Sequence, residues 1–183
     1  MDASLAVLIG VASSLAASAV FLAGMRLILI PKLGISQQIA LQQNEKGERV
    51  CRIKVVNQRR FSEVVNVNFE LVTLRPIAGD RGKNQKLDPY VYRLTRLELR
   101  PQSVVALPRC RGSDHRAEYA LRVTTPQSTE LTTALEHENS QVRFRAYGEH
   151  AWSRRGKTFE MLYSTAQSAR SGDFYLGRSL DMC

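Results

Sequence analysis

Residues 62–74 read SEVVNVNFELVTL. Val65, Val67, Phe69 and Leu71 fall on one side of an extended chain, and Asn66, Asn68 and Glu70 on the other. A period of two belongs to a strand with one face buried and one face wet. The same reading extends outward. Residues 35–41, 49–57, 90–100, 102–107, 118–124 and 159–163 all read as short strands. Residues 141–147 set Val142, Phe144 and Ala146 against Arg143, Arg145 and Tyr147. Residues 174–176 are placed to close the sheet. One helical segment is expected at 129–135, with Ser128 as its N-cap. Polar loops are expected at 77–89 and 108–116. Eight or nine short strands with little helix predict an antiparallel β-sandwich.

Ahead of the sandwich lies ASLAVLIGVASSLAASAVFLAGM, residues 3–25, with Arg26 at its end. Asp2 is the only charge before Arg26. A helix of roughly 20 apolar residues spans a bilayer, so residues 1–30 are expected to form a single transmembrane anchor. Residues 31–35 then form a linker opened by Pro31 and Gly34, residues 36–177 the sandwich, and residues 178–183 a tail. Arg26 and Lys32 follow the apolar run, which predicts the N-terminus outside and the domain on the cytoplasmic face of a plasma or inner membrane. A cleaved signal peptide is the competing reading, because Ala17-Ser18-Ala19 has the shape of a cleavage site. In that case the product is a secreted or periplasmic β-sandwich binding protein. The missing positive n-region and the continued run VFLAGM favour the retained anchor.

The net charge is +9, which leaves about +10 on residues 26–183 once Asp2 is set aside. The basic residues are scattered through the strands. Their dense clusters are Arg59-Arg60, Arg109 with Arg111, and Arg154-Arg155. That balance suits an anionic membrane surface or a solvated basic face and predicts no nucleic-acid partner. Cys51, Cys110 and Cys183 follow neither a disulfide framework nor a metal spacing, which fits a reducing compartment.

No cofactor or metal is expected. His115, His137 and His150 lie far apart without i,i+4 partners, and Ser113-Asp114-His115 are adjacent residues rather than a relay. There is no phosphate-loop or dinucleotide pattern. Nothing in the chain supports a reaction class, and the protein is read as no enzyme. Trp152, before Arg154-Arg155, reads as a rim packing residue or a partner contact. Within the anchor, Ala19-x-x-x-Ala23 is a small-xxx-small pattern suited to helix association.

In order, these residues are similar to a known family. A Gly47 turn leads into Cys51-Arg52-Ile53-Lys54-Val55-Val56-Asn57-Gln58-Arg59. This resembles the opening of the cytoplasmic domain of inward-rectifier potassium channels, where an apolar strand ends Arg-x-x-Asn-x-Arg. Here Lys54, Asn57 and Arg59 hold those places, with Lys for the first Arg. The alternating strand after it, the Thr125-Pro126-Gln127-Ser128 turn, Gln141 to Gly148, Lys157 to Tyr163 and Ser171 to Phe174 resemble later segments of the same domain. The likeness runs from about residue 35 to residue 174. It implies an immunoglobulin-like sandwich and a homo-oligomer, with a tetramer suggested by the resemblance alone. It also implies that Arg26 and Lys32 lie where relatives meet anionic phospholipid headgroups. Lys54, Asn57 and Arg59 read as a fold motif holding a strand end and its turn.

The departure from that family is large. A potassium filter needs a Thr-x-Gly-Tyr-Gly loop whose carbonyls replace the water around the ion, and this sequence has none. The functional expectation is therefore a single-pass, membrane-anchored interaction and assembly module. The alternative is an auxiliary or regulatory subunit for a channel partner protein, or a minimal oligomeric conductor lined by Ser13, Ser14 and Ser18.

Overall fold

In a computed structural model, residues 3–44, 47–78, 90–110, 118–137 and 139–183 are described. The chain opens with helix α1 (Ala3–Ile28). Two sheets then form a β-sandwich. The first contains β1 (Leu33–Ile35), β2 (Ile39–Gln43), β3 (Arg49–Asn57), β7 (Ala120–Thr125) and β10 (Ala169–Ser171). The second contains β4 (Val64–Ala78), β5 (Tyr90–Leu97), β6 (Ser103–Leu107), β8 (Gln141–His150) and β9 (Gly156–Tyr163). A short helix, α2 (Ser128–Glu136), connects β7 to β8.

The fold is thus mainly β with one apolar helix in front, as the alternation predicts. Within α1, Val7–Met25 has a mean hydropathy of 2.1 and none of it is buried against the rest of the chain. It is the one helix among the described residues that is long and apolar enough to cross a membrane.

Strand β3 is the axis of the first sheet. One of its edges pairs with β2 through Arg49–Arg52 and with β1 through Val55–Asn57; its other edge pairs with β7. Ile53 and Val55 enter the main core, where they join Leu71, Phe144, Val142 and Tyr163. Val56 faces the opposite way, into a smaller cluster with Cys110 and Tyr119 that Leu180 packs against. Burial on both faces explains why β3 is a near-continuous apolar run instead of an alternating one.

Strand β4 is the axis of the second sheet, between β8 on one edge and β5 with β6 on the other. Its alternation is interrupted. The register with β8 shifts between Val65 and Asn68, and Asn66 takes φ +50°. Such a β-bulge inserts one residue and reverses which face the preceding side chains occupy. Val64 and Val67 are therefore both in the core, and Val65 is only half-buried. The expectation that Val65 shares a face with Val67 is corrected by this bulge.

Several boundaries also change. The expected strand at 35–41 is two strands broken at Ser36–Gln38, so the residues read as a linker include β1. The N-cap of α2 is Gln127, not Ser128, which is the first helical residue and is buried. Phe174 forms only an isolated bridge to Met182, and the sheet is closed instead by β10. That strand pairs with β2 in parallel, so the first sheet is mixed, not purely antiparallel. The expected loops at 77–89 and 108–116 lie largely outside the described residues.

Side chains of β4 and β1 crowd Gly148 of β8, with Val64 nearest and Leu33 next. A Cβ placed there would stand 2.5 Å from Val64 Cγ1, a buried side chain with nowhere to move. We expect Gly148→Ala to lower the unfolding free energy by about 1–3 kcal/mol. Urea unfolding of the detergent-solubilised chain measures it, and an unchanged midpoint would show that Val64 can yield.

Candidate functional site

The sequence motif Lys54, Asn57 and Arg59 resolves into three different tasks along a stretch of chain that starts in β3 and leaves it at the end nearest α1. Lys54 is only 2% exposed. It sits on the outer side of the first sheet, under the C-terminal segment. Its Nζ donates to the carbonyls of Tyr175 at 2.5 Å and Ser179 at 2.6 Å. Its register partner across the strand pair is Arg122, which forms an ion pair with Asp173 at 3.1 Å and donates to Phe174 O. Burial pulls the Lys54 ammonium below its ordinary range, helped by the Arg122 charge and opposed by Asp173 and Asp181. Two cations on neighbouring strands thus strap residues 173–179 onto the sheet. The residues read as a free tail are held as well, since Cys183 N donates to Asp173 O and Tyr175 N donates to Asp181 O.

Asn57 ends β3 and gathers two loops. It is fully buried, and its Nδ2 donates to the carbonyls of Ser62, Leu107 and Pro108 at 2.9–3.1 Å. Its Oδ1 accepts from Arg59 N at 2.9 Å. That last bond is an Asx-type turn, in which a short amide side chain replaces a backbone partner. Arg59 O in turn accepts from Cys110 N. The loop 58–63 is therefore tied to the loop after β6.

Arg59 reaches the helix. Its Nε and one terminal nitrogen donate to Ile30 O at 3.1 and 2.9 Å. From the β8–β9 turn, Ser153 Oγ donates to Leu29 O at 2.8 Å. Gln58 N donates to Lys32 O. These carbonyls belong to the segment that follows α1, Leu29 to Lys32, and the sandwich supplies their donors. One donor is a cation close to the end of the helix where the dipole is negative.

The turn that carries Ser153 is itself fixed by His150. This buried imidazole accepts at Nδ1 from the backbone N–H groups of Trp152 and Ser153, both at 3.3 Å. Accepting there requires a neutral ring with its proton on Nε2. Burial holds His150 below the usual imidazole range, and the nearby Arg59 charge adds to the effect.

The other residues singled out in the sequence fall as follows. Lys32 is exposed just beyond α1, with its carbonyl in the junction. Arg26 is in α1, and its side chain lies outside the described atoms. Ala19 and Ala23 are exposed on α1, and none of the described residues buries them. Ser13 Oγ donates to Gly10 O within its own helix. His115 lies outside the described residues. Among the described residues no cluster of His, Cys, Asp and Glu is arranged to hold a metal. Trp152 is 81% exposed, so it is not packed into a rim.

Sequence reasoning missed Ser36, Arg122 and Ser153. Ser36 is wholly buried at the break between β1 and β2, where its carbonyl accepts from Tyr163 Oη at 2.7 Å and its Oγ accepts from Lys54 N. A lone Ser or Arg in a strand carries no local signal of such distant partners. Two shallow depressions of about 320 and 270 Å³ meet at Phe69 and Glu70 on the second sheet. Arg96, Gln102, Arg145, Tyr147 and Thr158 line them, a set with no nucleophile and base in contact. No protein-family model matches this chain, and none of the curated proteins does.

Two outcomes follow for the junction. Asn57→Ala should cost about 2–3 kcal/mol, because it strands buried carbonyls; a chemical melt of the full chain reads this directly. For His150, the folded value lies below the ordinary 6.5, so the unfolded chain binds more protons just under that pH. Stability should be fully present above about pH 6.5 and fall as the pH drops toward the folded value. His150→Asn should flatten that part of the stability–pH curve, and an unaltered slope would place its origin elsewhere.

Proposed function

We propose that this protein is a non-catalytic interaction and assembly module on a single membrane anchor, with its sandwich facing the cytoplasm. The observation that carries the reading is the junction. A purely passive tether needs only a flexible linker. Here Arg59, Ser153 and Gln58 bind the carbonyls of Leu29, Ile30 and Lys32, so the sandwich is held at a set height and orientation relative to α1. A fixed orientation is useful to a module that must present one surface to a partner, or to further copies of itself.

The anchor supports the assembly part of this reading. Every described side chain from Val7 to Ala23 is exposed. Ala19 and Ala23 form a small-residue seam on which a second helix can approach closely. Association through the anchor and through the sandwich would reinforce each other, because the first contact raises the effective concentration of the second. The resemblance to inward-rectifier cytoplasmic domains adds a preferred number of copies, four. Arg26 and Lys32 flank the anchor on the side where positive charge is retained and anionic headgroups are met.

Cross-linking of the solubilised full chain should yield a discrete homo-oligomer, weakened by Ala19→Leu with Ala23→Leu. A strict monomer would overturn the assembly reading. Orientation has its own readout in the thiols. Cys51 and Cys110 are buried and Cys183 is exposed, and burial pushes the Cys51 thiol up to about 12. An impermeant maleimide should therefore label Cys183 alone, and only after the membrane is opened. Labelling on intact cells would place the sandwich outside.

A further inference from the structure

The junction brings two loops to the level of the helix end, and their tips are of one chemical kind. In the loop between β3 and β4, Phe61 is 83% exposed, and Arg60 beside it is exposed too. In the turn between β8 and β9, Trp152 is 81% exposed and is followed by exposed Arg154 and Arg155. Arg109, exposed in the loop that Asn57 ties to this end, and Lys32 extend the basic set. Glu63 is the single acidic residue within 58–63 and 151–155.

Single exposed apolar side chains are ordinary, but here two large rings stand on loops bonded to each other, Ala151 N donating to Glu63 O. Both loops are bonded to the residues just beyond α1, through Arg59 to Ile30 and through Ser153 to Leu29. Those two residues lie roughly 6–9 Å beyond Met25, at about 1.5 Å per helical residue and up to about 3.3 Å for the first residue past the helix. The headgroup layer on each side of a bilayer is about 5–7 Å deep. The loops are therefore held where that layer meets water. Trp and other amphipathic rings concentrate at this depth, and arginines there meet lipid phosphates. Each loop sets one aromatic ring near a pair of arginines, which matches a headgroup layer and not a dry protein contact.

We propose that residues 58–63 and 151–155 seat the sandwich on an anionic lipid surface, with Phe61 and Trp152 entering the headgroup layer and Arg60, Arg154 and Arg155 meeting phosphates. The seat rests on α1 being a membrane anchor. His150 belongs to it as a positioning residue, since its Nδ1 fixes the backbone of Trp152 and Ser153.

Trp152 is the only tryptophan in the chain, so its fluorescence reports on this loop alone. The full-length protein is reconstituted into phosphatidylcholine vesicles with and without phosphatidylglycerol, and retention in alkaline carbonate is measured alongside. Lipids brominated high on the acyl chain should quench Trp152 several-fold more strongly in the anionic vesicles. Acrylamide should quench it several-fold less than N-acetyl-tryptophanamide in water. The charge-reversed triple variant Arg60→Glu, Arg154→Glu, Arg155→Glu, all at exposed positions, should lose both effects without loss of folding. Carbonate-resistant protein whose Trp152 is open to acrylamide and untouched by bromolipid overturns the seat and leaves the anchor standing. Protection from acrylamide without bromolipid quenching means that protein covers the loop, and also overturns it. Quenching indifferent to lipid charge and to the triple variant overturns the phosphate contacts. Release by carbonate removes the anchor and the seat together.

Discussion

The carbonyl groups of Leu29, Ile30 and Lys32, just beyond α1, are the constraint on which the rest of this structure depends. Backbone that leaves a long apolar helix and runs onto a protein surface carries strong acceptors that need donors. The sandwich answers with a guanidinium, a hydroxyl and a backbone amide. Each donor is placed by a different part of the fold. Arg59 is positioned because Asn57 turns the chain at the end of β3, and Ser153 because His150 holds the β8–β9 turn. The junction therefore couples both sheets to the helix, since β3 is the axis of one and β8 is central in the other.

The same strand supports a second constraint at its other face. A buried lysine is expensive unless its hydrogens are bonded and opposite charge is near. Lys54 meets both conditions through the C-terminal segment, which brings two carbonyls and the carboxylates of Asp173 and Asp181. The arrangement is reciprocal, because Phe174 and Leu180 are the apolar side chains by which that segment packs, while its Tyr175 and Leu176 are exposed. Strand β3 thus gathers the helix junction at its end and the C-terminal strap on its outer side, with the main core on its inner side.

Much of this was legible in the sequence where the signal is local. The bounds of β3 at Arg49–Asn57 and the start of β8 at Gln141 follow from apolar runs and alternation that neighbours in sequence determine. The bulge at Asn66 was not legible, because VVNVNFELV alternates well with or without an inserted residue, and only the partner strand reveals which valine turns inward. Strand β10 was missed for a related reason. Three residues reading Ala-Arg-Ser have no β signal, and their strand state comes from the edge of β2 beside them. At the junction, the motif spacing marked Lys54, Asn57 and Arg59 as belonging together. It could not show that one faces the tail, one the loops and one the helix, since those partners lie up to 125 residues away.

The junction also bears on how the chain can work, since it ties the sandwich by hydrogen bonds to the residues that follow one apolar helix. Ser13, one of the few polar groups along the helix, hydrogen-bonds to Gly10 of the same helix. The sandwich is thus joined to a helix of which no part from Val7 to Met25 is buried against the described residues. Uncovered helix surface in a bilayer is satisfied by lipid or by another helix, and the small-residue seam at Ala19 and Ala23 favours the second. In the assembly proposed above, contact between helices along this seam would be converted by the junction into a defined arrangement of sandwiches.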